Sequence, residues 1–376
     1  MSRAAVPALS AVRSRLAARW ARFDGTGRAA GIDLARGLAV IGMFAAHLVA
    51  TRPLVWSDPS TWSGIVNGRP SILFATLAGV SLALSTGGPD GPRRLGLAQA
   101  SVAIRALWIW VLGVALIGLD TPVIVILPAY AILFLLSLPL LRWRPAALFA
   151  LAGVIALAMP FVVTWVNRLP AWQSAAGQTV DLLTGWNYPF LLWAAFVAAG
   201  LGIGRLRFTR PLTATALLGA GAVLAAIGDG LVGRWARTLP ADGALRIALS
   251  DEPHSSGMGE AVGSGGFAIA VIAACVLLCL TPARWVALPL RAVGAMPLTA
   301  YTAQLIAWAV LQPPAGPVGD ELSAFRALEP FWPLTLATIA GCTLWTLLVG
   351  RGPLEAGIAW FVRTVTTSPG RPARTP

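Results

Sequence analysis

The chain has 376 residues, of which 57% are hydrophobic and only 11% are charged, and its mean hydropathy is +0.75. Soluble domains carry about 25% charged residues, so this composition excludes an ordinary soluble protein and indicates a chain that is mostly membrane domain. The net charge of +13 does not indicate nucleic-acid binding, because the arginines stand singly or in pairs between apolar runs, as is typical of membrane topology signals.

The chain divides into three parts. Residues 1–30 form a basic segment, predicted to be cytoplasmic, that is either a short amphipathic helix on an anionic leaflet or an unstructured tail. Residues 31–350 form the predicted transmembrane domain, and residues 351–376 form a predicted cytoplasmic tail.

Apolar runs recur through the transmembrane part and predict an all-α bundle of about ten transmembrane helices. They cover residues 32–51, 70–86, 98–119, 122–141, 146–166, 189–206, 212–232, 265–281, 294–312 and 331–349. Arginines concentrate in alternate connections and in both termini. The positive-inside rule therefore predicts that both termini are cytoplasmic in a multi-pass protein of the plasma membrane, with the long, Trp-rich connections outside.

The first of these helices carries an unusual polar face. Its sequence, GIDLARGLAVIGMFAAHLVAT, contains Asp33, Arg36 and His47. At about 100° per residue these side chains share one side of the helix. Ionisable groups in a span are expensive and should face the protein interior or a wet cavity. His47 is therefore either a hydrogen-bonded structural group or a general base.

A second candidate region precedes the predicted eighth helix. The stretch DEPHSSGMGEAVGSGG, residues 251–266, holds His254 and Glu260, and its glycines predict a flexible outer loop that can dip toward the membrane. One interpretation is a flexible extracellular loop only. The other is a functional loop, in which His254 is catalytic and Glu260 positions an acceptor.

Two arginines and one tryptophan complete the candidates. Arg69 is either a topology signal or a bidentate ligand for a carboxylate or phosphate of the acceptor. Arg105 either snorkels to the membrane surface or converges with Arg36 on the phosphates of a coenzyme. Trp62, in an outer connection, is either a membrane-interface anchor or an acceptor contact. Two histidines on separate segments and three cysteines in apolar runs predict no metal site and no disulfide framework.

These residues stand in motifs that resemble a known family. DLARGLAVIGMFAAH resembles the first-helix signature of the YeiB-like and heparan-alpha-glucosaminide N-acetyltransferase-like proteins, within the transmembrane acyltransferase superfamily. Further stretches resemble later parts of the same group: NGRPSILFATLAGVSLALS, ILPAYAILFLLSLPLL with Pro128 and Tyr130, PHSSGMGEAVGSGGFAIAV, VGAMPLTAYTAQ and RGPLEAGIAWFVR. Together they span about residues 31–363.

The resemblance implies transfer of an acyl group, most simply acetyl, from cytoplasmic acyl-CoA to an external acceptor such as a glycan or a lipid-linked glycan. Acyl-CoA is then a co-substrate, and no cofactor is bound permanently. Asp33, Arg36 and Arg105 are the expected donor-binding residues, and Arg69, Glu260 and Trp62 the acceptor-binding ones. In the heparan enzyme the catalytic histidine precedes a Trp-Asn-Gly. The matching stretch here, residues 60–64, lacks a histidine, which leaves His47 and His254 as the candidates.

Two other interpretations stay open at this stage. A transporter or channel for a small polar or anionic solute would use Asp33, Arg36 and Arg105 as a substrate path. A relative without catalytic activity would serve as a scaffold. The sequence does not define the acceptor, the acyl chain or the oligomeric state, and a homo-oligomer is compatible with it.

Overall fold

The computed structural model of the chain describes residues 23–25, 29–311 and 322–366. All the regular secondary structure in these residues is helical. The α-helices are α1 Ala30–Leu48, α2 Arg69–Ser85, α3 Leu95–Ile117, α4 Leu127–Leu136, α5 Pro145–Val166, α6 Ala175–Thr184, α7 Phe190–Arg205, α8 Pro211–Ala225, α9 Gly233–Arg237, α10 Ala244–Leu249, α11 Met258–Cys279, α12 Leu288–Ala295, α13 Pro297–Leu311, α14 Ser323–Arg326, α15 Phe331–Leu348 and α16 Pro353–Thr366. A π-helical turn, Ala226–Val232, joins α8 to α9, and 3-10 helices cover Pro59–Val66, Gly88–Asp90, Leu138–Arg142, Pro170–Gln173 and Pro282–Arg284.

Six helical stretches in the described residues are long and apolar enough to cross a membrane, or eight if each of two bent pairs is one span. The bent pairs are the 3-10 helix Pro59–Val66 with α2, at 45°, and α12 with α13, at 85°. Two shorter apolar helices, α4 and α7, coincide with the remaining predicted spans. The all-α fold is confirmed for the described residues and fits a multi-pass membrane protein, whereas ten spans and the side of the termini stay predictions.

Prolines explain where the helices depart from the predicted bounds. The predicted helix 122–141 is shorter, because α4 begins only at Leu127, with Pro128 in its first turn, and gives way to a 3-10 helix containing Pro139. The predicted helix 294–312 is divided between α12 and α13, because Met296 precedes Pro297 and leaves the helical conformation.

The predicted flexible glycine loop at residues 251–266 is wrong over its second half. Helix α11 begins at Met258, so Glu260 and the glycines after it lie in its first turns. These glycines permit close packing, since a Cβ on Gly263 would overlap Asp229 and one on Gly266 would overlap the backbone of α8. Close contact between two backbones needs glycine here, and the sequence pattern alone resembles a loop.

Helix α1 lies at the centre of the site-bearing part of the bundle and packs on α2, α11 and α12. A Cβ on Gly37 would overlap the carbonyl oxygen of Leu290, and one on Gly294 would overlap the carbonyl oxygen of Asp33. The glycine of the first-helix signature therefore permits backbone contact between α1 and α12. The pair Gly200 and Gly204 of α7 permits the same kind of contact with α2.

Arginines placed by the sequence in polar connections are partly buried in the bundle. Arg205 donates to the carbonyl oxygens of Ala83, Gly88 and Leu141 at 3.0, 2.6 and 2.6 Å, and so caps the end of α2. Arg291 is fully buried and donates to Asp24 at 2.5 Å. This contact ties the segment before α1 to α12. The predicted amphipathic helix in residues 1–22 lies outside the described residues.

The predicted C-terminal tail, residues 351–376, contains the helix α16. Glu355 of α16 accepts hydrogen bonds from the backbone nitrogens of Leu298 and Thr299, at 2.8 and 3.1 Å, and from the Thr299 hydroxyl at 2.6 Å. A carboxylate at this position caps the start of α13. Two separated motifs of the sequence, MPLTAYTAQ and RGPLEA, are thereby joined in space.

Candidate functional site

Both histidines of the chain line one cavity of about 130 Å³ at the Leu48 end of α1. His47 enters from the last turn of α1, and His254 enters from the loop before α11. The other polar or aromatic side chains in the lining are Asn67, Ser71, Tyr188, Tyr301, Gln304 and Trp308. The two predicted catalytic candidates, 207 positions apart in sequence, therefore share one site.

His47 is half-buried and is held by its backbone and by one aromatic ring. Its carbonyl oxygen accepts a hydrogen bond from Nε of Arg326 at 2.9 Å, which places a cation at the end of α1. Its ring lies nearly perpendicular to that of Trp308, with ring centroids 5.7 Å apart. The imidazole nitrogens have no hydrogen bond to another described residue, so they are free to meet a ligand in the cavity.

The loop that carries His254 is held in an unusual conformation by Glu260. His254 and Ser256 both have positive φ, 63° and 56°, which is costly for residues with a Cβ. The buried Glu260 carboxylate accepts hydrogen bonds from their backbone nitrogens at 2.7 and 2.8 Å. Such conformations persist where surrounding contacts enforce them, and they are concentrated at functional sites.

The electrostatic setting of His254 favours a neutral imidazole. Protein atoms around the ring lower the pKa of His254 below its ordinary value of 6.5 by desolvation, although much of the residue's surface stays open. His254 and His47 are near enough to interact electrostatically. Beside them, burial raises the pKa of Tyr188 to about 12, so this phenol keeps its proton, which it donates to the carbonyl oxygen of Ile124 at 3.4 Å.

Two polar groups of α13 lie buried at the cavity without a partner. The indole Nε1 of Trp308 and the side-chain Oε1 of Gln304 have no hydrogen bond to any described residue. Trp308 is fully buried, and Gln304 is 6% exposed. Each unpaired buried polar group costs about 1–3 kcal/mol, so these two groups of the lining gain most from a hydrogen bond to a molecule in the cavity.

A hydrogen bond from a motif tyrosine fixes the wall formed by α2. The Tyr130 hydroxyl donates to the carbonyl oxygen of Ser71 at 3.2 Å, and the Ser71 hydroxyl donates to that of Gly68 at 2.6 Å. Ser71 and Gly68 both line the cavity. The Pro-x-Tyr motif therefore acts on the site through the start of α2.

Arg69 lies beside the cavity and is engaged by other residues. It donates to Asp229 at 2.7 Å, and its guanidinium lies over the rings of Trp56 and Phe267. Asp229 sits in the π-helical turn after α8, an irregularity that is rare and frequent at functional sites. Sequence analysis missed Asp229, because a single acid near the end of a predicted span resembles a topology signal.

The remaining acceptor candidates, Glu260 and Trp62, do not line the histidine cavity. Glu260 is occupied by the loop of His254, as described above. Trp62 is 52% exposed, and its indole donates to the carbonyl oxygen of Trp56. A direct contact of either residue with an acceptor stays a prediction.

The donor candidates lie at the other end of α1. Asp33 and His47 are 14 residues apart, which is about 21 Å along a helix. Arg36 donates to Asp33 at 3.0 Å and to the hydroxyl of Ser81 on α2 at 2.7 Å. Nε of Arg105 is buried without a hydrogen bond among the described residues, and the nearby charge that acts on this arginine is Arg351. The convergence of Arg36 and Arg105 on a donor stays a prediction.

No group of three His, Cys, Asp or Glu side chains in the described residues is placed to hold a metal ion. The three cysteines are buried and unpaired with one another.

Comparison with known families agrees with this arrangement. Residues 28–235 match the model for heparan-alpha-glucosaminide N-acetyltransferase, catalytic, and residues 223–368 match a protein family of unknown function, DUF418. No curated protein matches the chain. The first region contributes His47 and Tyr188 to the cavity, and the second contributes His254 and Trp308.

The apolar helices and the buried polar cavity define a multi-pass membrane protein of the acetyltransferase-like class. The first match covers more than half of the chain. The chain belongs to the heparan-alpha-glucosaminide N-acetyltransferase-like, YeiB-like family.

Proposed function

We propose that the protein transfers an acetyl group from acetyl-CoA to a hydroxyl or amine of an acceptor at the histidine cavity. The observation that carries the proposal is the meeting of His47 and His254 in one cavity of a chain from an acetyltransferase-like family. A transporter would also need polar groups in its interior. The family match and the two imidazoles in one cavity favour acyl transfer over transport.

In the proposed reaction one histidine accepts the proton of the acceptor O–H or N–H. The acceptor oxygen or nitrogen then bonds to the thioester carbon, the carbon–sulfur bond breaks, and the coenzyme leaves as a thiol after taking the proton back from the imidazolium. His47 suits the base, because its ring is fixed between the end of α1 and Trp308. His254 suits the second position, close to the acceptor.

The cavity can stabilise the charge that forms on the thioester oxygen. The Trp308 indole N–H has no other partner among the described residues, and the protonated Tyr188 phenol would have to exchange its long hydrogen bond to the carbonyl oxygen of Ile124, 3.4 Å, for one to the substrate. Preorganised donors aimed at a developing oxyanion are a major source of catalysis. The cavity volume of about 130 Å³ equals that of on the order of four water molecules, so only the reacting groups fit inside it. The rest of both substrates must lie outside it.

The proposed orientation places the Asp33 end of α1 toward the cytoplasm and the His47 end toward the outer face of the plasma membrane. Arg105, on which the charge of Arg351 also acts, suits the phosphates of a cytoplasmic donor. Arg36 and Asp33 mainly hold α1 against its neighbours, and contact with the donor is their secondary role. The acceptor is a cell-envelope glycan or lipid-linked glycan, approached from the side of Arg69 and Trp62.

The test is acetyl transfer from radiolabelled acetyl-CoA to glucosamine by the purified protein in nanodiscs. His47→Gln should lower turnover by about 10²–10⁴-fold, the usual contribution of a general base. His254→Gln should lower turnover less. The loss in the double variant should not exceed the product of the two single losses. Arg168→Gln, an exposed position outside the cavity, is the control. Normal transfer by the double variant would contradict the proposal.

A further inference from the structure

A second cavity, an open apolar crevice, runs beside the histidine cavity. It has a volume of about 400 Å³ and is bounded by α13 and α15, with Phe44 of α1 at its base. Small residues widen it on both helices: Ala300, Ala303, Ala307, Ala337 and Gly341. The two helices make little contact with each other along this line, and Ala303, Ala337 and Gly341 are exposed at the surface that faces the bilayer.

The crevice and the histidine cavity share one residue, Gln304. At about 100° per residue, α13 turns Tyr301, Leu305 and Trp308 toward the histidine cavity and Ala300, Ala303 and Ala307 toward the crevice. Gln304 falls on the boundary between the two faces. Its side-chain amide is 94% buried and leaves Oε1 without a hydrogen bond among the described residues.

The two spaces differ in the chemistry that they can bind. The histidine cavity is lined by imidazole, hydroxyl and amide groups, whereas the crevice offers mainly alanine, leucine, phenylalanine, tryptophan and methionine surface. A ligand that fills both must have a polar head and an apolar chain. The lined parts of α13 and α15 extend over about 12–16 Å, which suits one extended hydrocarbon chain lying along the bilayer normal.

We propose that the crevice between α13 and α15 binds the hydrocarbon chain of a lipid-linked acceptor, whose head group reaches His47 and His254 past Gln304. The proposal rests on the proposed function and narrows its acceptor to a membrane lipid that carries a hydroxyl or an amine. Such a lipid enters sideways from the leaflet, so its head group need not cross the bundle. The unpaired Gln304 amide then pairs with the first polar group of the head.

The experiment is photo-crosslinking of the purified protein in nanodiscs with hexadecyl glucoside that carries a diazirine in its chain. Label should concentrate on residues 299–307 and 334–345, and unlabelled hexadecyl glucoside should compete for it. Gly341→Trp and Ala337→Trp fill the crevice and should each lower this label by about tenfold, the effect of displacing about two buried methylenes. Leu336→Trp, on the opposite face of α15 and 58% exposed, should leave it unchanged.

Three results would overturn the proposal. Label spread evenly over the exposed helices, including Leu212 and Val223 of α8, would indicate ordinary surrounding lipid. Label that survives in both folded crevice variants would place the chain elsewhere. Stronger competition by palmitoyl-CoA than by hexadecyl glucoside would assign the crevice to the donor's chain. Crosslinking needs no turnover, so intact labelling without acetyl transfer to either glucosamine or hexadecyl glucoside would instead contradict the proposed function.

Discussion

Both ends of α1 carry polar residues, but the two ends differ in whether those side chains have hydrogen-bond partners in the protein. At one end Asp33 and Arg36 are paired with each other, Arg36 also reaches Ser81, and the backbone is in contact with α12. At the other end the His47 imidazole, the Trp308 indole and the Gln304 carbonyl have no hydrogen bond to a described residue and surround a cavity. Polar groups that satisfy one another hold a fold together, whereas unpaired ones are available for a ligand.

Residues that share the polar face of α1 therefore have different roles. The signature residues Asp33, Arg36 and Gly37 join α1 to its neighbours. His47, on the same face, is supported at its backbone by Arg326 and keeps its ring for the cavity. Substitution at the first end should therefore change stability, and substitution at the second should change chemistry.

The largest effect on stability is expected from Asp33→Ala. It leaves the partly buried Arg36 without its carboxylate, which should lower the free energy of unfolding by about 3–5 kcal/mol. Thermal unfolding of the purified protein measures this loss. Asp242→Ala, an exposed acid in a loop, is the matched control. Equal melting temperatures for the two variants would show that the Asp33 end is not a structural clamp.

A slightly smaller loss is expected from Gly294→Val. The new side chain overlaps the Asp33 carbonyl, and separating α1 from α12 should cost about 3 kcal/mol. Gly219→Val, in a helix with open space around the glycine, keeps the β-branching and removes the overlap. Fluorescence-detected size-exclusion after a heating series compares them. A Gly294→Val protein as stable as Gly219→Val would contradict the close packing.

Glu260→Gln should change both stability and acceptor binding. The free energy of unfolding should fall by about 2 kcal/mol, because a neutral amide accepts the hydrogen bonds of the loop less strongly than a carboxylate. The loop at residues 254–256 would then relax from its positive-φ conformation. We expect faster hydrogen exchange at those amides and weaker acceptor binding, read as a raised KM. Unchanged exchange would mean that Glu260 does not hold His254.

The smallest predicted effect is on pH dependence. Desolvation lowers the pKa of His254 below its ordinary value of 6.5. The imidazole therefore stays neutral as the pH falls through 6.5. Transfer that requires neutral His254 should therefore decline only below pH 6.5. The pH profile of kcat/KM measures the limb, and His254→Gln should remove it. A limb above pH 6.5 would contradict the desolvated setting.

Much of this arrangement is predictable from the sequence, for a physical reason. Helical spans follow from apolar runs, because membrane burial requires long stretches without charge. The polar face of α1 follows from helical periodicity, and both histidines are candidates from the sequence alone, although their shared cavity is not predictable from it. The other lining residues are not predictable from the sequence. Tyr188, Tyr301 and Trp308 resemble ordinary core or interface aromatics until tertiary packing brings them to one cavity.

The glycines before and within α11 have a role that the sequence did not indicate. Gly263 and Gly266 resemble a flexible loop in the sequence, whereas they permit close packing of α11 on the π-helical turn and on α8. The hydrogen bonds of Glu260 to two backbone amides six and four residues earlier were also not predictable. Local patterns do not show which neighbour a residue will meet.

The most direct test of the contrast between the two ends compares His47→Gln with Asp33→Asn in one pair of assays, melting temperature and acetyl transfer to glucosamine. We expect His47→Gln to keep the melting temperature and to lose transfer by about 10²-fold or more. Asp33→Asn should lose stability by a few kcal/mol and should keep more transfer than His47→Gln at temperatures where it is folded. The contrary result is a stable His47→Gln protein that transfers acetyl groups at the normal rate, and it would remove the histidine cavity from the chemistry.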